Sequence, residues 1–479
     1  MIKTPGVSRS SLVLAVWLLA AATAAGVIAV RSQPPAGSSF VIDNVGIVSM
    51  AGPGVQVGSV LVRDGRIAYV GSATGLKDAS RARVIDGTGR FLIPGLIDMH
   101  THVSKTRASS LALLVAHGVT TVRDLGGDHE ELLRWKRDLA AGTRVGPTLR
   151  VAGPYLESAA NAARQHNTPP AEMVEPVERT RMGVASPAEA ERVIAAIAAR
   201  GVDHLKIRTT QDRETYLAIG AAARRHGLAL IGHWQPYSLE DFFASGQRSV
   251  EHAFYPPLDK RPPAERRALF ERMAGDGIAY VPTLVVLERM GTPDEEGLKR
   301  IVEEAGKPAG GQRRLSAFTR ADWREQLAEQ GPGRRQAYQQ FLADTRRDLA
   351  EMRAAGVRVL AGTDSGVLNV VPGEAMHEEL RLLVRDAGMT ALEALQAATS
   401  SAAAFMGIDR EAGSVAVGKR ADLILLDCNP LEDISRVSQI AGVAVGGRWF
   451  DRPALARLLE DVAAAPDVAA NDWPRVPKR

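Results

Sequence analysis

Only one of the 479 residues is a cysteine, Cys428. That excludes an intrachain disulfide and any cysteine-based zinc site, and the run LILLDC predicts a core thiol. Charge of one sign is scarce as well. The 59 basic and 55 acidic side chains leave a net +4 with no Lys/Arg-rich stripe, so nucleic acid is not an expected partner. No glycine loop suited to a nucleotide occurs, and GTDSG is not the G-x-S-x-G of a serine nucleophile. What remains is an ordinary globular composition, 45% apolar and 24% charged, in a chain long enough for a large barrel and a small satellite.

One apolar run stands apart. Lys3 and Arg9 precede Ser11–Val30, twenty residues without a charge. AAATAAG offers cleavage choices near Ala24 and Ala25, as in a signal peptide, and the run is also just long enough to remain as a bilayer anchor. Both readings stay open. The flanking positive charges favour the N-terminus inside in either case, so the rest is expected to be exported, periplasmic or otherwise extracytoplasmic. Contact with a membrane would then run only through that segment.

After a linker at 31–39, residues 40–93 contain short β-like runs with Gly and Asp-Gly turns, including a tight hairpin at Arg63-Asp64-Gly65-Arg66. Eight candidate strands follow, alternating with amphipathic stretches: GLIDMH, GVTTVRD, TLRVAGP, HLKIR, LALIGHW, SVEHAF, AYVPTL and RVLAGTD. Eight βα repeats over 94–411 favour an α/β fold of the (β/α)8, TIM-like barrel type. Residues 412–460 return to β-patterning, so the economical arrangement is a small β-sandwich built from both chain ends, with a tail at 461–479. Two segments interrupt the rhythm: Glu157–Met182 after strand three, and the charged 288–347 insertion between strands seven and eight. Both leave the C-terminal face, where a lid or a merely solvated helical excursion is expected.

Potential metal donors sit where these strands run out: His100, His102, Lys206, His233, His252 and Asp364. His100 and His102 are two positions apart on a strand, so they point the same way and can grip one ion. Asp98 before them is placed to orient a histidine. Asp364 is either an oxygen ligand able to transfer protons or a loop cap bonding the amides of Ser365 and Gly366. Lys206 is the sharpest clue, because a buried ammonium is costly and has no lone pair for a metal. It is either salt-bridged to Asp364 or Glu251, or neutral and able to take up CO2 as a carbamate that bridges two cations. His117 and His226, before glycines, read as helix C-termini. Arg123 could hold a substrate carboxylate in a bidentate contact or pair with Asp124 or another loop acid. Tyr155, Gln235 and His377 are further candidates for substrate contact.

Taken together, GLIDMHTH, the strand-four lysine, the two later histidines and GTDSG resemble the amidohydrolase superfamily over roughly Phe40–Phe450. GVTTVRDLGG and HEELRLLVRDAGMTALEALQAATSSAA resemble its imidazolonepropionase-related and Xaa-Pro dipeptidase branch. The resemblance implies that His100, His102 and Asp364 hold one divalent ion and His233 and His252 a second, with carboxylated Lys206 bridging them. Zinc leads, while manganese, cobalt or iron fit the same donors. It further implies a metal-bridging hydroxide that cleaves an amide or peptide-like C–N bond of a small molecule, an Xaa-Pro-type dipeptide included, with Asp364 carrying the proton. Two departures bear on the substrate. Relatives often have His or Tyr where Gln235 stands, and a Gly-Gly-His-Gly stretch where this chain has LESAANAARQHN. A cyclic-amide hydrolase or lactonase would use the same site. A mononuclear deaminase would leave Lys206 without a purpose, and a non-catalytic tethered binding protein should have lost ligands. A homo-oligomer is compatible with all of these.

Overall fold

The computed structural model describes residues 39–76, 82–167, 177–304, 315 and 317–464. The N-terminal apolar run, its linker up to residue 38 and the last part of the C-terminal tail lie outside them. Among the described residues no helix is long and apolar enough to cross a membrane.

All eight expected barrel strands form: Leu96–Thr101, Val119–Asp124, Thr148–Val151, His204–Ile207, Ala229–His233, Ser249–Glu251, Ala279–Val281 and Arg358–Val359. Neighbours are parallel, and their burial on both faces is what a sheet sandwiched between side-chain core and outer helices demands. The ladder is not one closed ring. The first three strands form one sheet, and the fourth to eighth belong to a second that also takes in Tyr155–Ser158 and Arg181–Val184. Backbone hydrogen bonds cross both seams: Asp203 N–H to the Val151 carbonyl at 2.8 Å at one, and at the other Met99 and Asp364 N–H groups to the Ala361 and His100 carbonyls at 3.0 and 2.7 Å. The arrangement is consistent with a TIM-like barrel whose wall is interrupted at two places.

Helices fall where the apolar spacing put them. Pro187–Ala198 and Arg213–Arg225 begin at Ser186 and Asp212, whose side chains accept the N–H groups of Glu189 and Thr215. Each such cap contributes about 1 kcal/mol. His117 and His226 are C-terminal caps as expected.

The two chain ends make one eight-stranded sheet rather than two stacked ones. Its joint is Phe91–Pro94 paired antiparallel with Leu423–Leu426. The sheet curls until its extremes meet. Ile67 N–H reaches the Lys419 carbonyl at 2.8 Å, Ala421 N–H reaches Gly65 at 2.9 Å, and Phe40 packs on Trp449. Ile42, Val60, Leu92, Leu425 and Ala444 fill the resulting interior, a core separate from the barrel's. The hairpin Gln56–Arg63/Arg66–Gly71 turns on Asp64 and Gly65 with φ of 51° and 76°, both left-handed, as a two-residue type I′ loop requires. A Cβ on Gly447 would lie 2.3 Å from Gly65 Cα, so this close approach needs glycine. Among the described residues, curled sheet and barrel lie in one compact unit. Cys428 sits just past its strand, half-buried, with its thiol on Gln439 Oε1, not in the core.

Candidate active site

The strand ends converge. His100 Nε2 and His102 Nε2 lie 3.4 and 3.1 Å from Asp364 Oδ1, and His252 Nε2 lies 3.9 Å from Oδ2. His233 and His252 rings are 5.3 Å apart, and Lys206 and His233 line the same cavity as His102, His252 and Asp364. Among the described residues, donor atoms of His100, His252 and Asp364 come within 4.8 Å of one another. This tight trio takes His252 where the resemblance implied His102.

Each histidine is aimed by its other ring nitrogen. His100 Nδ1 donates to Glu251 Oε2 at 2.9 Å, and His102 Nδ1 lies 3.1 Å from the Gly126 carbonyl, which can only accept. His252 Nδ1 meets Thr283 Oγ1 at 2.8 Å. The Nε2 atoms of His100 and His102 therefore carry lone pairs toward the Asp364 carboxylate. Lone pairs 3.1 Å apart repel unless a cation stands between them. Burial, followed by the field of Lys206, holds His100 and His233 well below the usual histidine range, and burial pushes His252 down to about 4, so all three are neutral donors. Burial pushes Asp364 up, but His252, His102 and Lys206 outweigh it and hold the carboxyl at about 2, ionised.

Two buried atoms here have no hydrogen-bond partner: His100 Nε2 and Lys206 Nζ. Lys206 is buried, which draws its amine down to about 8. The salt bridge considered for it does not form. Glu251 instead holds Arg123 Nη2 at 2.8 Å, Ser249 and His100. An orphaned imine nitrogen, an orphaned amine and an opposed lone-pair set are what a metal-binding donor group looks like without its ions.

The backbone is strained at the same place. His252 and Thr283, just past the ends of strands six and seven, and Asp364, five positions past strand eight, have φ of 65°, 47° and 52°. Left-handed non-glycine residues cost about 1–3 kcal/mol each and persist where surroundings over-determine them. Asp98 supplies part of that restraint. It orients no ring; its carboxylate takes the N–H of His100 at 3.1 Å and both N–H and Oγ1 of Thr363 at 3.0 and 2.6 Å. Nor does Asp364 cap its own loop: the Ser365 N–H goes to Thr363 Oγ1. Beyond Thr283, buried Glu379 accepts the N–H groups of Leu284 and Val285. Burial raises its carboxyl from 4.5 to about 8. A raised carboxyl favours folding below its unfolded value and loses that contribution as pH climbs through the folded one. Glu379 therefore contributes a fall in thermal midpoint as pH rises from 4.5 to about 8, read as the difference between wild type and Glu379→Gln; a difference that does not change with pH would refute the assignment.

Above the donors lies a cavity of about 870 Å³. Tyr155 lines it, its hydroxyl 2.9 Å from His102 Nδ1. Gln235 lines it too, with its amide engaged by the Arg208 and His233 carbonyls and by Thr210. Arg123 and His377 are corrections to the expected substrate contacts. Arg123 is buried beneath the site, bound to the Met99 carbonyl at 2.7 Å and to Glu251, and His377 packs on His117 and donates to its carbonyl at 2.8 Å.

The insertion is the largest surprise. It folds as helices Glu295–Glu304, Ala317–Ala328 and Arg334–Ala355, and Asp322, Glu325, Tyr338 and Phe341 from them wall the cavity. Gln326 fastens it to the catalytic loop: its Nε2 donates to the Gly366 carbonyl at 3.0 Å and its Oε1 accepts from Leu368 N–H at 2.8 Å. Charge density alone could not reveal this, because a solvated helix has the same composition. Gln326→Leu should lower kcat by about 10–100-fold, through misplacement of Asp364, with KM changed less than threefold. An equal loss carried by KM would assign Gln326 to binding instead.

The sequence profile described as "Amidohydrolase family" matches residues 91–450. Imidazolonepropionase of Ralstonia nicotianae is 30% identical over 388 residues, covering 78% of this chain and 86% of that protein. Ochratoxinase of Aspergillus niger is 26% identical over 456 residues, covering 84% and 85%. A crystal structure of an Xaa-Pro dipeptidase with methionine bound in its active site superposes with a TM-score of 0.64 at 21% identity, over 86% of this chain and all of that one, a likeness of fold. By extent of match and by the donors its strand ends assemble, the chain belongs to the amidohydrolase family.

Proposed function

We propose that the protein is a metal-dependent hydrolase of an amide or peptide-like C–N bond in a small molecule. The observation that carries this is the donor set itself: neutral imidazoles, an ionised aspartate and an unpartnered lysine amine facing one another at the floor of a deep cavity. His100, His102, His233, His252 and Asp364, together with Lys206 as its carbamate, would hold two divalent ions, zinc leading. The carbamate forms when the neutral amine adds to CO2 and releases one proton. When bound, the ions polarise the scissile carbonyl and activate water at neutral pH. Asp364, ionised and within reach of both His102 and His252, takes up a proton at its carboxylate and passes it to the departing nitrogen. Trp234, Tyr155 and the insertion's Tyr338 and Phe341 restrict water around the reacting bond. The apolar N-terminal run supports a working place outside the cytoplasm.

Elemental analysis of protein prepared with bicarbonate tests this. Two ions per chain are expected, falling to one or none in Lys206→Ala, together with hydrolysis of members of a dipeptide and N-acyl amino acid panel. Protein that binds no metal would end the proposal. One ion in both proteins would make Lys206 structural.

A further inference from the structure

One wall of the cavity carries positive charge that the donor cluster does not use. Arg181, opening the strand Arg181–Val184, and Arg208, just past the fourth barrel strand, both line it. Their guanidinium carbons stand 5.0 and 5.4 Å from the centroid of the Tyr155 ring, within cation–π range. Both donate through Nη1 to the same oxygen, Oε1 of buried Glu157, Arg208 at 3.2 Å. The other Glu157 oxygen takes Thr209 Oγ1 at 2.9 Å and the Asn161 amide. Glu157 is thus saturated, and two guanidinium charges face one carboxylate charge. Among the described residues a unit of positive charge is left over. A guanidinium has five N–H donors, so each arginine keeps donors beyond the one on Glu157.

Position gives this surplus a purpose. The Tyr155 ring that the arginines flank is the one whose hydroxyl meets His102, so the pair lies one phenol ring from the donor cluster. That is about the reach from an amide carbonyl to the carboxylate of the residue on its amine side. Asp322 and Glu325 of the insertion also line the cavity, so an anion is drawn to the two arginines rather than to them.

We propose that Arg181 and Arg208, organised by Glu157, form the subsite for a free carboxylate on the amine side of the scissile bond. This rests on the hydrolase reading above and narrows it: the substrate is an N-acyl amino acid or a dipeptide with an unblocked C-terminus, and the released amine is an amino acid. The role expected of Arg123 passes to this pair.

Binding, measured apart from turnover, tests it. L-leucine, L-phenylalanine and L-proline are each titrated by calorimetry against their own carboxamides, on the full chain both metal-loaded and chelated. Charge-assisted hydrogen bonds predict that at least one carboxylate binds about 10–100-fold more tightly than its amide. Arg181→Met and Arg208→Met should each bring that ratio to within about threefold, and Arg208→Lys, which keeps the charge but loses the planar fork, should fall between. Near-UV circular dichroism checks each variant's packing, and the lysine variant carries the test should a methionine variant not fold. No carboxylate preference in the wild type, or a preference that survives all three variants, overturns the subsite. A preference that persists in chelated protein and is lost in the variants would sustain it even if no amide were hydrolysed, so the two proposals fail separately.

Discussion

Lys206→Met is expected to make the metal-free protein more stable and the enzyme inactive. The side chains are similar in length and volume, so the cavity walls need not move. What changes is that a buried amine without a hydrogen-bond partner disappears. An unsatisfied buried polar group costs about 1–3 kcal/mol, and its removal should raise the unfolding free energy of chelated protein by about that much. In the metal-loaded protein the sign reverses, because the wild type gains stability from its ions and the variant cannot hold them as a pair. Activity should fall by at least about 10²–10³-fold, the order seen when one preorganised charge-stabilising group is lost. Denaturant unfolding with and without chelator gives both signs in one series. A destabilised apo variant would mean that the Lys206 amine is satisfied in the native protein, and the bridging role would lose its physical basis.

The second large effect concerns Glu251. Its carboxylate neutralises buried Arg123 and fixes the tautomer of His100, at 2.8 and 2.9 Å. Breaking a buried pair by removing one partner costs about 3–5 kcal/mol, because the surviving charge is stranded. Glu251→Gln should therefore lower stability by about that amount and weaken metal binding by about 10–100-fold. The double variant Arg123→Met/Glu251→Leu separates the two consequences. It removes both charges, so stability should return to within about 1–2 kcal/mol of wild type, while metal affinity stays low because His100 still lacks its acceptor. Recovery of both together would show that Glu251 serves only Arg123.

Much of this site was legible in the sequence because its donors obey a local rule. His100, His102, Lys206, His233 and His252 each end a short apolar run, and a parallel strand leaves such residues at one end of a barrel. Asp364 stands five positions past its two-residue strand, yet the motif GTDSG marked it. Residues that act through others escaped, for physical reasons. Glu251 neighbours His252 in sequence, but its work is done toward Arg123 and His100, more than a hundred residues away. Arg123 has the composition of a carboxylate binder, and only the fold shows that its guanidinium points beneath the site. Arg181 opens a short strand and Arg208 lies in a loop past another, and nothing in either segment signals that they share Glu157. The two-sheet sandwich failed for a similar reason: alternating apolar residues report that a strand has a buried face, but not whether that face meets a second sheet or the far end of its own.

That curled sheet also sets the order in which the chain can fold as it is made. Phe91–Pro94 has Phe40–Ile47 on one side, but the partner for its other edge, Leu423–Leu426, comes more than three hundred residues later. Until that segment has left the ribosome, the early strands carry an open edge while the whole barrel is synthesised beside them. Open edges recruit other chains, and contacts this distant in sequence form slowly. The nascent protein is thus most exposed to aggregation when it is nearly complete, and a chain cut short before Leu423 would keep every donor of the site yet leave its first sheet unfinished.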